Sequence, residues 1–229
     1  MPRDFEVAPL HFLTAEEGRG QVTRAAEDTS SPEDNRAYRQ GDPLKRVHWK
    51  LSARRRELIV RRFETPAPPD TLVLLDCTQP GSAGMAAEAR ASLRDALCET
   101  ALSVAQMQLR AGAPVRVPLY GAQMTQFVSE PHGGADALAR LLALQPFTGG
   151  TPFAAVLELE ARRLRRTGAT VIVTSRLDAA MVEGARSIRR MGPSVRLYYV
   201  TLEPDAEGDR PFIAQLQQSM VEVCYVKPG

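Results

Sequence analysis

Three short stretches set polar side chains directly against runs of apolar residues. Asp76-Cys77-Thr78 follows TLVLL, Thr148-Gly149-Gly150-Thr151 precedes PFAAVLELEA, and Thr174-Ser175-Arg176 follows TVIV. Together they offer a carboxylate, several hydroxyls, a thiol, a guanidinium and a glycine pair ahead of a helix. If the apolar runs are strands of a parallel sheet, these stretches meet at the carboxyl ends, where such sheets bind ligands. Gly149-Gly150 before a helix suits an anion, but no G-x-x-x-x-G-K-[ST] run is present, which disfavours nucleotide hydrolysis. Cys77 reads better as a small buried thiol than as a reactive one. His11 and His132 lack Cys or His partners at ligand spacing, which disfavours zinc. Ser52 has no identifiable His and acid partners, so it is not a credible nucleophile.

The second concentration of chemistry is RAYRQGDPLKRVHWKLSARRRELIVRRFE, residues 36–64. It sets Arg36, Arg39, Lys45, Arg46, Lys50, Arg54, Arg55, Arg56, Arg61 and Arg62 around Trp49, the single tryptophan. Nucleic acid would need such cations, with Trp49 and Tyr38 as stacking platforms. However, Asp42, Glu57 and Glu64 and many small residues interrupt them, which disfavours that reading. The favoured reading is a structural collar. In it Trp49 is buried against the rest of the chain, worth at most about 4–6 kcal/mol for a fully buried indole. Arg36, Arg46 and Arg54 then pair with Asp42, Glu57 or other acids, and His48 is packed beside the indole. A protein-binding surface, with exposed arginines meeting an acidic patch, is compatible with it.

These residues must be positioned by the surrounding elements. The chain has 229 residues, 44% hydrophobic, with net charge +2, so the collar is a local feature and not part of a polycation. Cys77, Cys98 and Cys224 are odd in number and far apart, which points to a reducing, cytoplasmic compartment. No run reaches about 20 apolar residues, so no membrane span is expected in this chain. The organisation expected is a strand over 5–10, a polar loop over 14–35, a turn at Gly41-Asp42-Pro43, and a helical turn over 44–51. A strand around Ile59 and Val60 and a Pro-rich connector follow. From Thr71, strands over 72–76, 115–120, 126–130, 170–175, 194–201 and 221–226 alternate with helices over 85–111, 135–144, 152–166, 179–191 and 211–219. Thr151 is a good N-cap, with Pro152 at the first helical position. This rhythm predicts an α/β fold, a mostly parallel sheet flanked by helices, over 67–229, with 1–66 as an N-terminal extension.

Arg36, Tyr38, Gly41, Asp42, Trp49, Ser52, Ala53 and Arg54 match R-x-Y-x-x-G-D-x-x-R-x-I-x-W-x-x-S-A-R, with Lys45 at its middle Arg, Val47 at its Ile, and Arg46 and His48 taken with them as part of the signature. That signature resembles the one that marks the domain-of-unknown-function family 58, and residues 71–229 resemble the von Willebrand factor A-like, Rossmann-type domain that follows it there. The resemblance implies work beside a MoxR-type AAA+ ATPase as an adaptor, no established enzymatic activity, and in many members a membrane anchor outside the segment matched. It also implies a divalent-metal site of the form D-x-S-x-S with a later Thr and a later Asp. Carried over, this gives Asp76, Thr78 and Thr151, while Pro80 stands at the second Ser and Ser175 at the late Asp. Ser82 and Asp178 are nearby oxygens at the wrong spacing. Mg2+ would want oxygen ligands in near-octahedral geometry, and this set is degenerate, with Arg176 a cation beside it.

The function expected is therefore a non-enzymatic interaction module, with no cofactor and no nucleic acid, partnered by the ATPase. The alternative is a metal-dependent enzyme or adhesion-type ligand binder using Asp76 and the Thr148–Thr151 loop.

Overall fold

The computed structural model describes residues 35–40, 44, 47–61, 69–81, 84–121, 123–129, 134–164, 167–204 and 206–229. The expected strand over 5–10, residues 14–34 of the expected loop, Gly41, Asp42 and Arg46 lie outside them, as do Ser82 and His132, while Asn35, expected at the end of that loop, begins a strand. The chain divides into two compact units, with Leu13–Ala67 forming one and the chain from Pro68 onward lying in the other.

In the smaller unit β1 (Asn35–Ala37) pairs antiparallel with β2 (Ile59–Arg61), and α1 (Trp49–Arg55) lies between them in sequence. Val47 bridges Val60, and Val47, Ile59 and Val60 are buried. The apolar centre expected around Ile59 and Val60 is thus present.

The larger unit holds β3 (Asp70–Leu75), α2 (Ala87–Arg110), β4 (Val115–Tyr120), β5 (Met124–Val128), α3 (Asp136–Ala143), α4 (Phe153–Ala161), β6 (Thr167–Thr174), α5 (Ala179–Arg190), β7 (Ser194–Val200), α6 (Arg210–Gln218) and β8 (Val221–Val226). The sheet order is β5-β4-β3-β6-β7-β8, all parallel except β5, which runs antiparallel to β4. Within this sheet that is the order 3-2-1-4-5-6 of a doubly wound, Rossmann-type fold with its third strand reversed. The von Willebrand factor A-like architecture follows from this topology.

Period-two alternation along the central strands feeds two cores. Val73, Leu75, Val171 and Val173 pack with Leu93, Leu97, Ala101 and Val104 of α2 and Leu138 and Leu142 of α3. Leu72, Leu74 and Ile172 pack on the other face with Phe153, Val156 and Leu157 of α4 and Met181, Val182, Ala185 and Ile188 of α5. Strands buried on both faces must be apolar at every position, which is why these runs are continuous. The helix expected over 152–166 is shorter, because its hydrogen-bonded turns close at Arg162 and Arg163. No described helix is long and apolar enough to cross a membrane.

Candidate functional site

β3 and β6 are neighbours, yet the chain leaves β3 through α2 toward one edge of the sheet and leaves β6 through α5 toward the other. The crevice between their carboxyl ends is the topological switch point. Asp76 and Arg176 both sit there.

The Asp76 carboxylate is buried, 4% exposed, and accepts three hydrogen bonds. Its Oδ1 takes the Thr78 N–H at 3.0 Å and the Thr78 hydroxyl at 2.6 Å, an Asx-type turn that bends the chain away from β3. Its Oδ2 takes the Thr174 hydroxyl at 2.8 Å, tying β3 to β6. Thr174 Oγ1 in turn accepts the Arg176 N–H at 3.1 Å. Arg176 folds back over the turn: its Nη2 donates to Thr78 Oγ1 at 2.9 Å and to Gln79 O at 2.6 Å. The four residues close a ring, Asp76–Thr78–Arg176–Thr174, whose last link runs through the Arg176 backbone N–H, with the carboxylate inside and the guanidinium exposed.

The glycine loop joins the same rim. Gly149 donates its N–H to Cys77 O at 3.1 Å, and a Cβ there would lie 2.9 Å from Cys77 O and 3.2 Å from Tyr120 O, so only glycine fits. Thr151 is exposed, and its hydroxyl makes no hydrogen bond among the described residues. The expectation that Thr151 caps α4 is corrected. Pro152, with ψ at 135°, occupies the cap position and no side chain bonds there. Thr151 therefore stands one residue too early to reach the free amides of the first turn.

The donor set does not fit Mg2+. Asp76 is the one carboxylate, with both oxygens engaged, and Thr78 Oγ1 lies between that carboxylate and a guanidinium. Pro80 is buried without a side-chain oxygen to offer, and Asp178 Oδ1 accepts the Met181 N–H at 2.8 Å as the cap of α5. Among the described residues no three Asp, Glu, His or Cys side chains cluster as a metal site would require. Cys77 is buried, its thiol pushed up to about 12, first by desolvation and then by the neighbouring Asp76, so it stays protonated at neutral pH.

Among the described signature residues of the collar, Trp49 departs from its expected role. Trp49 is 60% exposed, which corrects its reading as the buried anchor. It opens α1 beyond the cap His48, whose Nδ1 accepts the Leu51 N–H at 3.3 Å, and at that first position its side chain points outward. The buried position is Ser52, whose Oγ accepts the Ile59 N–H at 2.9 Å, tying α1 to β2. Tyr38 donates its N–H to Leu58 O. Arg36 lies in β1, paired in register with Val60. Arg54 is exposed and forms no ion pair among the described residues, Glu57 included, while Asp42, the other collar acid expected to pair, lies outside them.

A second buried acid was not anticipated. Glu160, 1% exposed, accepts Arg116 Nη1 at 2.8 Å, the Tyr120 hydroxyl at 2.6 Å and Arg163 Nη1 at 3.4 Å. The signal was present: Glu160 continues the apolar stripe of Phe153, Val156 and Leu157, and an acid on such a stripe needs a buried partner. Burial, and then the Glu160 carboxylate, push the Tyr120 hydroxyl up to about 12.

The family model described as protein of unknown function DUF58 matches residues 34–218, spanning the collar, the ring at Asp76 and all but the last strand. The chain belongs to the DUF58 family. No curated protein matches it. Among solved structures this DUF58 chain is similar to the pilus adhesin SpaC from Lactobacillus rhamnosus GG, at 10% identity and a TM-score of 0.42. That alignment covers 70% of the present chain and 29% of the adhesin, so the chain spans under a third of the adhesin's length.

Proposed function

We propose that this chain is a non-enzymatic protein-interaction module whose partner is a MoxR-type AAA+ ATPase, engaged through the exposed face of α1. One observation carries the reading. α1 and its C-cap Arg56 turn Trp49, Lys50, Arg54, Arg55 and Arg56 outward and keep Ser52 inside. Trp49 and Ala53 lie one turn apart on one stripe of the helix, and Lys50 and Arg54 one turn apart on the next, about 100° round the axis. Tryptophan and arginine are the types that dominate binding energy at protein interfaces. An exposed indole leaves its hydrophobic area unsatisfied until a partner covers it. Cations without acidic partners among the described residues favour an acidic surface opposite and speed encounter with it.

A non-enzymatic role is supported by the chemistry of the strand tips. The Asp76 carboxylate is occupied by donors and the Cys77 thiol is held protonated. Neither is poised as a base or nucleophile.

The test is binding of the purified ATPase at two salt concentrations. The expected result is an affinity that falls steeply with salt and is lost in Arg54→Glu, with melting within about 2 °C of the parent because an exposed substitution costs little. Binding unchanged in both Arg54→Glu and Trp49→Ala would sink the reading.

A further inference from the structure

Arg176 is held in an unusual way for an exposed arginine. Its Nη2 is tied to Thr78 Oγ1 and Gln79 O, its backbone N–H to Thr174 Oγ1, while Nη1 and Nε carry no hydrogen bond among the described residues. No carboxylate pairs with it there either, and it meets Asp76 only through the Thr78 hydroxyl. The result is a fixed positive charge with unused donors, at the switch point where a doubly wound sheet receives its ligand.

We propose that this guanidinium is the binding group of the strand-tip site, and that it takes the carboxylate of an aspartate or glutamate side chain from a protein partner without any metal. The inference rests on reading the chain as an interaction module and names the chemistry of a second contact, separate from α1. Three arguments support it. With Nη2 spent on Thr78 and Gln79, Nη1 and Nε each keep N–H donors for a carboxylate oxygen, and such charge-assisted hydrogen bonds are about twice as strong as neutral ones. Because Nη2 is already anchored, little of the side-chain entropy that an arginine ordinarily loses remains to be lost on binding. The charge also suits a single carboxylate: Arg176 is the only cation in the described parts of the three strand-tip stretches, and the buried Asp76 beneath it opposes a phosphate dianion. The unbonded Thr151 hydroxyl, on the loop that Gly149 ties to Cys77 O, is available as a further donor on the rim.

The test follows the Arg176 Nε–Hε resonance of the full chain, assigned by its loss in Arg176→Lys, during titration with acetate in EDTA at constant ionic strength. The expected result is a saturable shift in the millimolar range, confined to Arg176 and its neighbours. It is weakened several-fold in Thr78→Val, which frees the guanidinium, and rim shifts are absent in Arg176→Lys. A titration that never saturates, saturation that needs added Mg2+, or inorganic phosphate binding more tightly than acetate would each overturn the proposal. ATPase binding measured on Arg176→Lys separates the two readings. A flat acetate titration with ATPase binding retained in the parent removes this inference alone, whereas an ATPase that does not bind the parent removes the interaction reading.

Discussion

Asp76 and Glu160 are both buried carboxylates on the same α/β unit, and the chain satisfies them in opposite ways. Glu160 is met directly by Arg116 and Arg163 and by the Tyr120 hydroxyl. Asp76 is met only by hydroxyls and an N–H, and its nearest guanidinium is held one hydroxyl away. In the first case charge is cancelled inside the fold, which is a structural solution. In the second the carboxylate is satisfied without consuming the arginine, whose charge stays outward. The difference teaches that a buried acid by itself says little about function. What matters is whether its counter-charge is spent on it.

Four measurements bear on whether the two acids differ in this way. The largest effect is expected for Glu160→Ala. It leaves the Arg116 side chain, 18% exposed, without its closest partner, and breaking a buried pair costs about 3–5 kcal/mol; urea unfolding measures it. Asp76→Asn should cost less, about 1–3 kcal/mol, because only one of the three donors loses a proper acceptor. Should it cost as much as Glu160→Ala, the two acids are equivalent and the contrast fails.

The third test is pH. Tyr120 is held neutral in the fold, its hydroxyl raised from an ordinary 10 to about 12. The folded state therefore keeps a proton that the unfolded state releases. The stability this supplies is complete below pH 10 and is lost as pH rises toward 12. Tyr120→Phe should flatten that part of the stability profile, and a profile unchanged by the substitution would remove Tyr120 from the Glu160 network. The smallest effect is expected for Arg176→Ala, within about 0.5 kcal/mol of the parent, since the side chain is exposed and Asp76 keeps its three donors. A loss comparable to that of Glu160→Ala would mean that Arg176 is spent on the fold.

Much of the architecture was legible in the residues. Leu72–Leu75, Val171–Val173 and Leu197–Val200 are buried on both faces, so their apolar runs read as interior strands. The stripe Leu93, Leu97, Ala101, Val104 and Gln108 on α2 is buried as its spacing predicts. The reversal of β5 was not legible, because an edge strand with Met124 and Val128 exposed carries a weak pattern whichever way it runs. The end of α4 was misplaced because arginine-rich text such as Arg162-Arg163 has good helix propensity, and tertiary context ends the helix earlier.

The site was legible in part. Asp76, Thr78, Thr174 and Arg176 could be singled out as strand-tip residues, but their closure into one ring depends on β3 and β6 being adjacent. Trp49 misled for a physical reason. Side-chain size argues for burial, but the first position of a short helix sets the direction, and Ser52 three residues on holds the inward one.

Gly149 has a consequence for how the rim behaves. With its α-carbon wedged against the carbonyls of Cys77 and Tyr120, the loop that carries Thr151 is riveted to the tips of two adjacent strands. It inherits the stiffness of the sheet and does not swing as a flap. Any partner of this rim meets a surface whose shape was set when the protein folded, and Gly149→Ala would loosen that rivet by inserting a single carbon.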